Sequence, residues 1–262
     1  MTLEIKKNKH LNLDMPQFVC DGGVADHLNK YEMLSHFNKY CFTGIIGKPG
    51  SGKTSLLVAF LTGKKEKRVF RKVFNHILLV MPSHSRKSMK RDPFKGHHAE
   101  KMFETLDLKT ISTIYEKLKA VSDEGENSLL IMNDVGASLK NVDIQNILRQ
   151  IIYNRRHLKC QIIILLQSFV SLPKEVRKLF NNVVMFKPSK VEFENLFEEL
   201  FETNKDVAMD VMNIAYNEPH NYLMLNVDSQ KIYLKFDEII INKKSQSNNI
   251  LEHDQKTQSQ QQ

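Results

Sequence analysis

Eight consecutive residues restrict the fold of this chain more than any other part of it. Gly47-Lys48-Pro49-Gly50-Ser51-Gly52-Lys53-Thr54 fits the spacing G-x-x-x-x-G-K-[ST] at every position. The apolar run CFTGII precedes it, and TSLLVAFLTG, a helical stretch that Gly63 can end, follows it. Gly50 and Gly52 allow successive backbone N–H groups to converge, and the helix that opens directly afterwards adds the partial positive charge of its N-terminus. Strand, loop and helix therefore form a cradle for phosphate. Lys53 is placed to reach the β and γ phosphates of a nucleotide, and the Thr54 hydroxyl to serve Mg²⁺. Gly47, Lys48, Pro49, Gly50, Ser51, Gly52 and Ser55 complete the candidate nucleotide-binding set.

Four further apolar runs share the pattern of a short buried strand ending in polar residues: HILLVMP, SLLIMND, QIIILLQS and NNVVMFKP. Helical patterns separate them, over Ala99 to Val121, Asp143 to Tyr153 and from near Pro173. Five strands alternating with helices predict an α/β fold with a mostly parallel five-stranded sheet covered on both faces. Beyond it, Val191 to Tyr216 reads as a helix, and NYLMLNVDSQKIYLKF as a C-terminal hairpin turning at Asp228 and Ser229. The expected organisation is a lead-in over 1–38 with a helix near Val24 to Phe37, one domain over 39–241, and a polar tail over 242–262 that is disordered.

With 41% hydrophobic and 26% charged residues, the 262-residue chain has the make-up of a globular protein. Cys20, Cys41 and Cys160 form no CxxC pair, which argues against a disulfide framework or a zinc site. The aliphatic run Ile162 to Leu166 is far short of a membrane helix, and MTLEIKKNKH has no apolar signal core, so an intracellular soluble protein with no membrane partner is expected.

A phosphate loop needs a second polar site to hold metal and orient water, and the strand ending in Asn133-Asp134 provides the candidate. Asn133 stands where an acid usually approaches Mg²⁺, and Asp134 where water is polarised. Asn133 can accept a hydrogen bond from metal-bound water but carries no charge, which weakens the metal side, and Asp134 is the alternative acid on the metal side. Gln167 ends another strand and emerges at the same carboxyl edge, where a polar side chain can sense the γ phosphate. Arg155, Arg156 and Arg177 flank that strand and are candidates to neutralise transition-state charge from a neighbouring subunit.

The formal net charge is +8, and Lys64 to Lys95 alone, with eleven Lys or Arg against Glu66 and Asp92, accounts for +9. Such a concentration without an amphipathic anchor suits a nucleic-acid backbone better than a membrane. Arg86, Lys87, Lys90, Arg91 and Lys95 are the candidate DNA contacts. GTP is disfavoured because the base-reading N-K-x-D is missing; Asn204-Lys205-Asp206 is one residue short.

GKPGSGKT, LLIMND, the pair Arg156-His157 leading into QIIILLQS, and LPKEVRKLF together resemble the genome-packaging ATPases of large DNA viruses, the poxvirus-type branch of the FtsK–HerA P-loop superfamily. The resemblance spans about Cys41 to Lys187. It implies an ASCE-type ATPase using ATP and Mg²⁺, assembled as a homo-oligomeric ring, that moves double-stranded DNA into a preformed capsid at the viral assembly site in the host cell. Capsid or portal vertex proteins are the implied partners. In those terms Lys53 and Thr54 bind nucleotide and metal, Asp134 activates water, Gln167 is the sensor, and Arg156 or Arg155 is the finger offered to the next subunit. Asn133 departs from the usual acidic pair. The alternative it motivates is a nucleotide-binding assembly or scaffold protein with impaired hydrolysis.

Overall fold

The computed structural model describes residues 2–6, 40–64, 69–87, 89, 92–201, 203 and 205–242. In chain order the elements are β1 (Thr2–Lys6), β2 (Phe42–Ile46), α1 (Lys53–Thr62), β3 (His76–Val80) and the short α2 (Ser83–Lys87). Next come β4 (Met102–Phe103), α3 (Leu108–Asp123), β5 (Ser128–Asn133), α4 (Val142–Asn154) and β6 (Cys160–Leu166). The last are α5 (Lys174–Arg177), β7 (Asn182–Phe186), α6 (Lys190–Leu200), α7 (Lys205–Ala215), β8 (Tyr222–Asn226), β9 (Lys231–Leu234) and β10 (Asp237–Asn242).

All five expected strands form, and all run parallel, in the order β7-β2-β6-β5-β3. The sheet itself is larger than five strands: among the described residues it has ten, in the order β1-β10-β9-β8-β7-β2-β6-β5-β3-β4. β4 adds a sixth parallel strand beside β3. β8, β9, β10 and β1 extend the other side in antiparallel pairs, the first two being the expected hairpin.

Each departure has a local cause. The helix expected from Ala99 begins at Leu108, because the Asp107 carboxylate accepts from the Thr110 amide at 2.7 Å and caps α3 there. That frees Met102 and Phe103 to pair with Leu79 and Val80. The single helix expected over Val191 to Tyr216 is two: Ser189 caps α6, and the chain is extended at Phe201 before α7 starts. Each helix carries its own apolar face, so the periodicity runs on across the break. Thr2–Lys6, within the expected lead-in, pairs along its whole length with β10. The helix expected near Val24 to Phe37 and the tail beyond Asn242 lie outside the described residues.

Every residue of β2, β5, β6 and β7 is buried, as a sheet covered on both faces requires. One face packs Ile45, Ile131, Ile163 and Leu165 against Leu56, Leu57 and Phe60 of α1. The other sets Phe42, Leu130, Ile162 and Ile164 against apolar side chains of α3, α4, α6 and α7. Burial on this scale, at roughly 25 cal/mol per Å² of apolar surface, fixes the sheet as the rigid frame of the site. Because β2, β6 and β5 are parallel neighbours, their carboxyl ends open at one edge. Ile46 pairs with Leu166 and Asn133 with Leu165, so Gly47, Gln167 and Asp134 follow the strands side by side.

Candidate functional site

The phosphate loop grows directly from β2. The Gly47 amide still donates to the Leu166 carbonyl at 3.1 Å, and the chain then leaves the sheet. Gly47 has to be glycine: a Cβ there would lie 2.7 Å from Ser51 Oγ and 2.8 Å from Phe186 Cβ. Gly50 and Gly52 take positive φ values of 75° and 111°, which turn the backbone back over the start of α1. Gly52 is the N-cap of α1 and brings no side chain to it, so the first amides of the helix are left open to an anion.

Lys53 opens α1 and folds across this loop, its ammonium donating to the carbonyls of Gly47 and, at 3.0 Å, Lys48. Burial lowers its pKa below the ordinary lysine value, and the nearby Asp134 carboxylate works in the opposite direction. Thr54 follows, half-buried, while Lys48, Pro49, Gly50 and Ser55 are exposed. Ser51 Oγ is buried without a hydrogen-bond partner. Open helix amides, an ammonium held on backbone carbonyls and an unsatisfied hydroxyl fit the phosphates of a nucleotide.

Across the edge, Asn133 is the buried last residue of β5, 8% exposed, whereas Asp134 is exposed and has a positive φ of 60°. A non-glycine residue in that region stores backbone strain, of order 1–3 kcal/mol, at a place where its carboxylate is thrust out of the strand. Gln167 Nε2 donates to Asp134 Oδ1 at 3.1 Å. The turn behind Gln167 is pinned by Glu192, whose carboxylate accepts from Ser168 Oγ at 2.7 Å and from the Phe169 amide at 2.5 Å. That role of Glu192 is invisible in the sequence, since no spacing rule links the first turn of α6 to the end of β6.

Lys53, Thr54, Asn133, Asp134 and Gln167 thus share one edge. No group of three or more His, Cys, Asp or Glu that could hold a metal ion occurs among the described residues. Thr54, Asn133 and Asp134 are the oxygen donors at this edge that could hold a Mg²⁺ carried on nucleotide phosphates.

Arg155 and Arg156 are not at this edge. They precede β6, so that strand, seven residues and hence roughly 20 Å long, separates them from Gln167. Arg155 is half-buried, with Nη1 on the Ile152 carbonyl at 2.8 Å. Burial lowers its pKa, offset by the fields of Cys41 and Asp228, which mark the amino edge of the sheet. Arg156 is exposed. Arg177, the third candidate finger, is already engaged. It is 9% exposed, forms a two-pronged pair with Glu199 at 2.9 and 2.6 Å, donates to the Leu172 carbonyl and lies 4.8 Å from the Phe169 ring. Its guanidinium holds α5 to α6 and is not available to a neighbour.

Of the candidate DNA contacts, Lys87 and Lys95 are exposed, and α2, which ends at Lys87, leaves the carboxyl end of β3. Arg86 instead turns back, with Nη1 3.3 Å from Met102 Sδ. Lys90 and Arg91 lie outside the described residues. No helix among the described residues is long and apolar enough to cross a membrane.

The fold is shared with viral packaging enzymes. The DNA-packaging ATPase B204 from Sulfolobus turreted icosahedral virus matches with a TM-score of 0.58 at 17% identity, over 75% of this chain and 97% of that one. The genome packaging NTPase B204 from Sulfolobus turreted icosahedral virus 2, in complex with ATP-gammaS, matches with a TM-score of 0.56 at 14% identity over the same shares. No curated protein matches the sequence. The profile of the Poxvirus A32 protein family matches residues 29–260, nearly the whole chain. With the phosphate loop, the Asp134–Gln167 pair and the packaging-ATPase fold in place, this chain belongs to the Poxvirus A32 protein family.

Proposed function

We propose that this P-loop ATPase couples ATP hydrolysis to movement of double-stranded DNA into a preformed capsid, as one subunit of a homo-oligomeric ring acting at the viral assembly site. The observation that carries the reading is the Asp134–Gln167 hydrogen bond, one strand away from the phosphate loop. It couples a candidate water-activating carboxylate to a side chain placed to sense the γ phosphate. The B204 proteins, which share the fold, are a DNA-packaging ATPase and a genome packaging NTPase that takes ATP-gammaS, AMPPCP and AMP.

In this reading the amides at the start of α1 and the Lys53 ammonium hold the β and γ phosphates, Lys53 exchanging its bonds to the Gly47 and Lys48 carbonyls for phosphate oxygens. Asp134 accepts a hydrogen from the attacking water and aims it at the γ phosphorus, while Gln167 holds the carboxylate in place. Thr54, Asn133 and Asp134 would hold Mg²⁺, which would supply neutralisation of phosphate charge. Arg156, or Arg155, acts on the nucleotide of the next subunit, since the length of β6 keeps both from their own. Lys87 and Lys95 contact the DNA backbone, and capsid or portal vertex proteins receive the ring.

The second reading, a nucleotide-binding assembly or scaffold protein, is favoured by the uncharged Asn133. Steady-state phosphate release with and without duplex DNA separates the two. Turnover that duplex DNA accelerates and Lys53→Ala abolishes supports the motor. ATP bound by the wild type and never hydrolysed supports the scaffold.

A further inference from the structure

A cavity of about 530 Å³ adjoins the phosphate loop on the flank away from Asp134 and Gln167. Its walls are Lys48 to Ser51 of the loop, Phe186 to Pro188 at the end of β7, and the turn Tyr216 to Asn221 that leads from α7 into β8. The loop-bearing strand β2 stands between β6 and β7, so the reacting phosphate and this cavity occupy opposite sides of it. A nucleotide whose γ phosphate faces Gln167 has its sugar and base on the β7 side.

The turn is built rather than loose. Tyr216 donates to the Met185 carbonyl at 2.8 Å, and Asn221 Nδ2 donates to the Ala215 carbonyl at 2.9 Å. His220 has a positive φ of 60°, and its Nδ1 donates to the Ser51 carbonyl at 3.2 Å, tying the turn to the phosphate loop. Asn221 is 4% exposed, yet its Oδ1 has no hydrogen-bond partner, and neither has Ser51 Oγ on the facing wall. Ser51 Oγ can donate to a phosphate, whereas the Asn221 oxygen only accepts, so this buried atom in the lining of the cavity calls for a ligand with a donor. The volume suits a nucleoside; Phe186, Pro188 and Pro219 offer apolar surface to a flat base, and Asn217, Glu218 and Asn221 offer acceptors to its amino group and to sugar hydroxyls.

We infer that the turn Tyr216 to Asn221 is the nucleoside-binding wall of the nucleotide site. This rests on the reading of Gly47 to Thr54 as the phosphate cradle. It makes the antiparallel extension, which β8 begins, part of the ATP site, with His220 as the positioning residue between them.

Calorimetric titration of the full chain with MgATP and with Mg-tripolyphosphate, which lacks the nucleoside, tests it. In Asn217→Trp, where an exposed residue is enlarged to fill the cavity, and in Asn221→Leu, which removes the unpartnered oxygen at similar size, ATP binds weaker by about tenfold or more, with tripolyphosphate affinity unchanged. Thermal melting confirms which variants are folded, and Asn217→Trp stands alone if Asn221→Leu is not. Unchanged ATP affinity in a folded variant overturns the inference, as does an equal loss of both ligands. A wild type that binds neither ligand fails at the phosphate cradle; one that binds both, with ATP indifferent to the variants, fails only at the wall.

Discussion

The carboxamide of Gln167 donates to the carboxylate of Asp134 at 3.1 Å, joining the ends of two adjacent parallel strands. Neither side chain needs the other for burial, since both are exposed. The bond instead fixes where the Asp134 carboxylate points once the strained φ of 60° has carried it out of β5. Removing the amide frees the carboxylate that is proposed to activate water.

Gln167→Ala is therefore expected to retain ATP affinity and lose turnover by about 100-fold or more, the usual scale for a misplaced catalytic base. Equilibrium binding of ATP and single-turnover hydrolysis, measured side by side, check this. Full turnover in Gln167→Ala would remove the amide from the reaction.

Lys53 gives a prediction with an unusual sign. Burial depresses its pKa more than Asp134 restores it, so the folded chain tolerates the charged form less well than the unfolded chain does. That cost is fully present below the folded pKa and is relieved as pH rises towards the ordinary lysine value of 10.5. Lys53→Met should therefore melt no lower than the wild type at neutral pH, while losing the stabilisation that MgATP confers. Melting curves with and without MgATP decide the matter. A lower melting temperature of the variant without ligand would mean that the two carbonyl hydrogen bonds outweigh desolvation.

Arg177 and Glu199 are an ion pair with side chains only 10% and 13% exposed. Breaking such a pair leaves a buried charge without its partner, which costs about 3–5 kcal/mol. Arg177→Ala should shift the urea midpoint accordingly, and Arg177→Lys, which cannot reproduce the two-pronged contact, should recover only part. Unaltered stability with impaired activity would make Arg177 a candidate finger again.

The DNA reading concentrates on Lys87 and Lys95, which are exposed cations of the basic stretch. Neutralising both is expected to weaken duplex binding for all sequences alike and to reduce the slope of log K against log salt by about 0.9 for each phosphate no longer neutralised. Salt titrations of binding to two unrelated duplexes measure this. An unchanged slope would place the DNA path elsewhere.

The parts of the molecule legible in the sequence are those that local rules specify. CFTGII and the QIIILL part of QIIILLQS are fully buried and read as strands, and the glycines of the phosphate loop announce their turns. Asp134 and Gln167 can be placed at one edge because parallel strands end together. Their hydrogen bond cannot be read, because it depends on the φ of Asp134. Pairings between distant short segments are also hidden: Met102 and Phe103 are too short for a strand signal, and Thr2–Lys6 finds its partner more than 230 positions away. Arg177 resembles Arg155 and Arg156 in the sequence; only tertiary packing against Glu199 and Phe169 separates them. The turn around His220 carries no motif, since its contact with Ser51 spans 169 positions.

Translocation itself is the most direct test. Displacement of a triplex-forming oligonucleotide from duplex DNA reports movement along the duplex, and the wild type with MgATP should strip the third strand while Asp134→Asn, still binding ATP, leaves it in place. A wild type that hydrolyses ATP without displacing the oligonucleotide, or an Asp134→Asn variant that displaces it at the wild-type rate, would contradict the account.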